Sequence, residues 1–170
     1  MLAVYWVIYG SSLLRNMERK MQHLNILKEK LLDIGAAEAG AIEISLQRGG
    51  YFVCAPVIDN GFLKGVNVSN LGNSPFLPID VFAAVLSLLA LSPNYTARRG
   101  NAMGGMLGTD EIPLNSVEGH VAHVIYGIDI GEGYAFQRIS PIAGILRWAG
   151  LILPPPTPNV LTLAIPPIQI

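Results

Sequence analysis

The residues whose types and spacing suit chemistry gather in the middle third of the chain. The stretch RRGNAMGGMLGTDE, Arg98 to Glu111, sets two guanidinium groups ahead of four glycines and ends on two carboxylates. Arginines beside accessible backbone amides hold an anion by charge-assisted hydrogen bonds. Arg98, Arg99, Gly100, Gly104 and Gly105 are therefore the candidate anion-binding residues. A Walker-type phosphate loop requires a lysine and a hydroxyl behind its glycines, between a strand and a helix. No lysine lies in this stretch, and the segment before it reads as helix. Its glycines, at 100, 104, 105 and 108, also miss the Gly-x-Gly-x-x-Gly spacing of a dinucleotide site. Anion binding outside both nucleotide motifs is one reading; a helix end followed by a surface loop is the other.

EGHVAH, Glu118 to His123, raises acid–base or metal chemistry. Read as a strand, it places Glu118 and His120 on one face and His123 on the other. A carboxylate orienting an imidazole is a general acid–base arrangement, which makes His120 and Glu118 the candidate catalytic residues. Asp110 or Asp129 could add a third metal ligand, but Asp129 falls on the face opposite His120, and two ligands do not make a site. No metal and no cofactor are expected, and an exposed cross-strand pair is the competing reading. Asp110 and Glu111 are adjacent, so their carboxylates diverge in most backbones, and DEIP also reads as a polar turn. Ser140 lacks the Gly-x-Ser-x-Gly context of a hydrolase nucleophile. Cys54, within YFVCAPV, reads as a small buried hydrophobe rather than a nucleophile. As the single cysteine it leaves no intrachain disulfide and no Cys-rich zinc site, which fits a reducing, cytoplasmic compartment. Tyr51, Phe52, Tyr126, Tyr134 and Phe136 fall on predicted strands. Without a basic surround they are expected in the core rather than stacking bases.

The elements that must position these residues follow from hydrophobic periodicity. Met21, Leu24, Leu27 and Leu31 recur at helical spacing in MQHLNILKEKLLDIG, widened by Leu32 and Ile34, and Gly35 is the expected left-handed stop. Ile42, Ile44 and Leu46 alternate with Glu43 and Ser45 as a strand with one wet face. QRGG then turns the chain into YFVCAPVI, where Pro56 predicts an edge or an end. From Asp59 to Pro78 a long loop is expected, KGVNVSN being its one short strand candidate. PIDVFAAVLSLLALSP predicts a second helix, with Asp80 near its positive end and Pro93 just past it. It is apolar nearly all round, so it needs cover on more than one side: the sheet on one, an oligomer partner on the other. VEGHVAHVIYGIDIG and EGYAFQRIS read as a hairpin across Gly131 to Gly133. SPIAGILRWAG reads as a closing helix with Ser140 as cap, Pro141 in the first turn and Gly150 as stop. The expected order is helix-strand-strand-helix-strand-strand-helix. That is an α+β single domain with an antiparallel sheet of four to five strands packed by helices.

With 170 residues, 51% hydrophobic and 14% charged, the chain can bury one real core. Its 11 basic and 12 acidic side chains lack the basic excess of a nucleic-acid binder. The α+β domain is expected over 20–150. Residues 1–19 form an extension that opens with nine apolar or aromatic residues, fewer than the roughly 20 that span a bilayer. Its basic residues Arg15, Arg19 and Lys20 follow that run, the wrong order for a secretory signal; Met17 is an alternative start, and a short membrane-surface anchor stays open. Residues 151–170 form an uncharged tail with six prolines, where LTLAI is able to lie in a groove or on a neighbouring subunit.

LNILKEKLLDIGAAEAGAIEI, the PIDVFAAVLSLLALS helix and EGHVAHVIYGIDIGEGYAFQRIS with its final helix together resemble the roadblock (dynein light chain) family, of profilin-like fold. The resemblance covers 20–150 in pattern, and its closest local match is GAAEAGAIEI. It implies a five-stranded antiparallel sheet between helices, a homodimer, and regulation of small Ras-like GTPases without catalysis. The leading expectation is accordingly a non-enzymatic interaction module. The alternative is an anion-binding or catalytic domain in which Arg98 and Arg99 hold the anionic group and His120 acts as acid or base.

Overall fold

Leu24, Leu27, Leu31 and Ile34 form one stripe of a long first helix, α1 (Leu2–Ala36), and all four are buried. A computed structural model describes residues 2–47, 49–103, 105–133, 137–154 and 159–164, with side chains from Arg15 onward. The stripe packs on the inner face of a four-stranded antiparallel sheet, β1 (Ile42–Ser45), β2 (Tyr51–Asp59), β3 (Phe62–Val68) and β4 (Phe76–Pro78), in that spatial order. Alternation sends Ile44, Phe52, Cys54, Val66, Val68 and Leu77 inward, all buried, while Tyr51, Val53 and Phe76 stay exposed on the outer face. Each such large apolar side chain contributes about 1.5–3 kcal/mol on burial. Helix α2 (Ile79–Leu91) follows β4 directly and enters the same core through Val81, Phe82, Val85, Leu86 and Leu89. Then come β5 (Thr96–Arg98), α3 (Val117–Val124), α4 (Ile139–Trp148) and β6 (Val160–Thr162). The result is the α+β single domain with an antiparallel sheet that the periodicities predict. No helix among the described residues is long and apolar enough to cross a membrane.

Several expectations change at the level of single elements. Gly35 does not stop α1. It lies within the helix, where an added Cβ would meet Ile58 Cδ1 at 2.6 Å; the left-handed residue is Gly40, at φ 59°. Met21, expected on the inner stripe, is exposed. The long loop from Asp59 to Pro78 is instead a turn and two strands. Asn60 and Gly61, at φ 50° and 79°, make the tight connection between β2 and β3, with Asp59 paired to Phe62. Two successive positive φ angles match the right-handed twist of a hairpin, and Asn-Gly is the pair that adopts them most easily. Pro56 does not end β2. It lies past the last residue paired to β1, so its missing N–H faces the side where no strand runs, and β3 pairs it to Val66 on the other.

The expected strand at Val117–Val124 is a helix. Ser116 caps it, its Oγ accepting the Gly119 N–H at 3.1 Å and donating to the Pro113 carbonyl at 2.7 Å. The predicted hairpin with EGYAFQRIS therefore does not form; Tyr134 and Phe136 lie outside the described residues, and helix resumes at Ile139. In α4 the capping position falls to Arg138 rather than Ser140, while Gly150 adopts the left-handed stop at φ 77°. The apolar circumference of α2 is covered by the chain itself, through α1, β3, β4, β5 and α3. Residues 159–164 also fold back. Leu161 and Leu163 are buried, β6 pairs β5 antiparallel, and Ile152 bridges Leu163. His23, buried on α1, places one ring nitrogen 2.7 Å from the Arg19 carbonyl and the other 2.7 Å from the Ala164 carbonyl, which ties this segment to the first helix.

Candidate functional site

The RRGN stretch is ordered from both sides. Arg98 ends β5. The Arg99 N–H donates to the Asn159 carbonyl at 2.8 Å, and the Arg99 carbonyl accepts from the Glu118 N–H at 2.9 Å. Gly100 turns the chain at φ 85°, and the Asn101 N–H donates to the Glu111 carbonyl at 3.0 Å. This frame holds Arg98 and Arg99 at the edge of a cleft of about 810 Å³, a size ordinary for a small-molecule site. The cleft runs between the β1–β2 turn, the start and the last turn of α4, and the segment leading into α3.

Three arginines line it. The Arg99 guanidinium donates to Gln47 Oε1 at 3.2 Å and, at the long limit of 3.5 Å, to Ser140 Oγ. An amide nitrogen cannot accept a hydrogen bond, so Gln47 turns its oxygen to the arginine and keeps its NH₂ for the cleft. Ser140, an acceptor toward Arg99, likewise keeps its O–H. Arg98 Nη2 donates to the Asp110 carbonyl at 3.4 Å. Arg147, near the end of α4, lines the same cleft, and its buried Nε has no hydrogen-bond partner among the described residues. Neither Arg147 nor Gln47 belongs to any local motif. Only the packing of α4 beside the β1–β2 turn brings them to Arg99, so sequence reasoning missed both.

Of the other predicted site residues, Gly100 lines the cleft, Gly105 sits outside it against Thr109 and Glu111, and Gly104 is not among the described residues. The Glu118–His120 pair is not brought together. Two residues apart on a helix lie about 200° around its axis, so α3 sends them to different surroundings. Glu118 is 5% exposed and lines the arginine cleft; its Oε2 accepts the Ala102 N–H at 2.7 Å, and its Oε1 is buried. Burial pushes its carboxyl above the ordinary carboxylate range; the Ala102 and Ile139 amides and the Arg99 charge pull the other way without prevailing. His120 faces a separate cleft of about 420 Å³ near the end of α2, shared with Arg98 and Asn115. Burial, and then the His123 charge, hold its imidazole below the usual histidine value. His123 places Nδ1 3.0 Å from the Ile128 carbonyl. Among the described residues no three His, Cys, Asp or Glu side chains come together as a metal site. Cys54 is fully buried, and burial pushes its thiol up to about 12, which makes it an inert core residue at neutral pH.

The raised Glu118 carboxyl has a signed consequence. The folded protein holds that proton more tightly than the unfolded chain, so the associated stability is present in acid and is lost as pH rises above the ordinary carboxylate range. Urea titrations of wild type and Glu118→Gln between pH 4 and pH 7 are expected to show wild type losing stability relative to the variant as pH rises. A difference that stays flat or moves the opposite way would mean that Glu118 is ionised throughout.

Searches against family models, curated proteins and solved structures find no significant match to this chain. What the cleft does rests on its own geometry.

Proposed function

We propose that this protein binds a small anionic molecule in the cleft between β5, the β1–β2 turn and α4. The observation that carries the reading is the Arg99 cluster. One guanidinium engages the oxygens of Gln47 and Ser140, turning both side chains into donors beside Arg98 and Arg147. Several donors converging on one cleft are complementary to the oxygens of a carboxylate or a phosphate. His120 has no place in this reading, because it faces the neighbouring cleft. The test is calorimetry and thermal shift with phosphate, citrate and simple carboxylates on the full chain. Wild type is expected to respond, and Arg99→Ala to bind about 10- to 100-fold more weakly with an unchanged far-UV spectrum, the effect of one charge-assisted hydrogen-bonding group. No response to any anion overturns the reading.

A second reading, a homodimeric interaction module of roadblock type with a small GTPase as partner, is favoured by one observation. The outer face of the sheet leaves Tyr51, Val53 and Phe76 exposed. Sedimentation across concentrations is expected to show self-association that Val53→Lys abolishes; a monomer at all concentrations removes the homodimer from this reading.

A further inference from the structure

The cleft that His120 lines has a make-up of its own. It lies between the end of α2, β5 and the start of α3, and Arg98 is the one residue that also lines the arginine cleft. Its volume of about 420 Å³ is ordinary for a small-molecule site. Leu88, Leu91, Pro93 and Ala97 give it an apolar part, and Leu91 stands 60% exposed. Arg98, Asn115 and His120 give it a polar part. The Asn115 amide and the half-buried His120 imidazole make no side-chain hydrogen bond among the described residues. Arg98 is held through Nη2 alone, at the long distance of 3.4 Å from the Asp110 carbonyl. The lining hydroxyls, by contrast, are used inside the fold: Ser92 Oγ donates to the Leu88 carbonyl at 2.7 Å and Thr96 Oγ1 to the Asn94 carbonyl at 3.1 Å. We propose that this second cleft binds an apolar monocarboxylate, an alkyl or aryl acid whose head meets Arg98, Asn115 and His120 while its tail covers Leu88 and Leu91. The proposal stands whether or not the arginine cleft takes an anion.

Charge sets the head group. No carboxylate lines this cleft, whereas Asp110, Glu111 and Glu118 line its neighbour, so an anion meets no like charge here. Burial keeps His120 below the usual histidine value, so at pH 7 it offers the N–H of a neutral ring and Arg98 is the single fixed cation. One cation matches a monoanion; a phosphate dianion is better matched by the three arginines next door. The helices set the orientation. The end of α2 carries the negative end of its dipole and the start of α3 the positive end. A carboxylate head is therefore favoured on the α3 side, at His120 and Asn115, and the tail runs toward Leu88 and Leu91. Each methylene fully buried there strengthens binding roughly fourfold.

Calorimetry of the full chain with hexanoate, acetate, hexanol and hexylammonium tests the proposal. Hexanoate is expected to bind about tenfold or more tightly than each of the other three, which lack the tail, the charge or its sign. Leu91→Asp places a like charge beside the tail at an exposed position, and His120→Leu removes a donor to the head. Each is expected to weaken hexanoate about tenfold or more with an unchanged far-UV spectrum. Arg99→Ala, which alters the arginine cleft alone, is expected to leave hexanoate within about twofold. No binding of hexanoate overturns the proposal. So does equal affinity for acetate, which shows that no tail is covered, or for hexanol, which shows that no head is held. Hexanoate binding that survives in Leu91→Asp and His120→Leu lies elsewhere and overturns it too, and a loss confined to Arg99→Ala assigns the acid to the arginine cleft instead.

Discussion

Arg138→Met is expected to destabilise the protein by about 2–4 kcal/mol, with a fall in Tm on the order of 5–15 °C. Arg138 is 8% exposed and sits at the start of α4. Its Nη1 donates to the Phe76 carbonyl at 3.0 Å and to the Tyr126 hydroxyl at 3.1 Å, and its Nη2 to Ser74 Oγ at 3.0 Å. The guanidinium also lies over the Tyr126 ring, 4.9 Å from its centroid. One planar fork thus joins the strand β4, the turn before it and the end of α3. Methionine keeps most of the volume, so the loss reflects the polar contacts rather than a cavity. Lysine is expected to rescue little, because an ammonium group cannot reproduce the planar fork. A second readout follows from Tyr126, whose phenol is already pushed up by burial and held back by the Arg138 charge and hydrogen bond. In the methionine variant that phenol moves further up, which an ultraviolet titration detects. Unfolding curves that coincide with wild type would mean that Arg138 only decorates the surface.

The elements legible in the sequence are those whose burial has one clear period. The stripe of α1, the alternation of β1 and the apolar run of α2 appear where they are expected. Asn60-Gly61 was legible too, since Asn-Gly between two apolar alternations marks a tight hairpin; the glycines and prolines spread from Asp59 to Pro78 obscured it. Helix α3 was misread because Val117, Val121, Val124 and Ile125 are β-branched and favour strands. The cue against a strand was local: Ser116 stands where an N-cap belongs, and Val117, Val121 and Val124 recur at helical spacing. The candidate site divides the same way. Arg98, Arg99, Gly100 and Glu118 line one cleft, as a compact run of polar residues allows. The approach of Gln47 and Arg147 depends on long-range packing that no local pattern encodes. His120 and Glu118 part company solely because the strand between them is a helix, which turns neighbours on one face into opposites.

The surface interpretation of the same chain also shifts with the fold. Two sequence features pointed to a partner: the nearly all-apolar α2 and the uncharged C-terminal segment. Among the described residues both find cover inside the chain, α2 among α1, the sheet and α3, and Leu161 and Leu163 against the core beside β5. The support for self-association therefore moves to the exposed residues of the outer sheet face, while the cleft stands as the built feature with unmet hydrogen-bonding capacity.

Gly100→Ala is expected to cost about 2–4 kcal/mol of stability and to weaken anion binding as Arg99→Ala does. Two effects combine. Gly100 holds φ at 85°, where an L side chain costs about 1–2 kcal/mol. An added Cβ would also lie 2.9 Å from Ser116 Oγ and 3.0 Å from Glu118 Cβ. Ser116 cannot yield, because its Oγ already bonds both Pro113 and Gly119 to begin α3, and Glu118 is held through Ala102. The strain must therefore move the backbone of Arg99 and Asn101, displacing the guanidinium from Gln47 and Ser140. Gly40→Ala is the matched control: its φ is 59°, but an added Cβ there meets nothing within 4 Å, so it carries the conformational strain without the collision. Chemical denaturation and calorimetry of the two variants separate these effects. A larger stability loss and a lost anion response in Gly100→Ala alone place the collision at the site, whereas equal losses with binding intact would show that Arg99 does not depend on this turn.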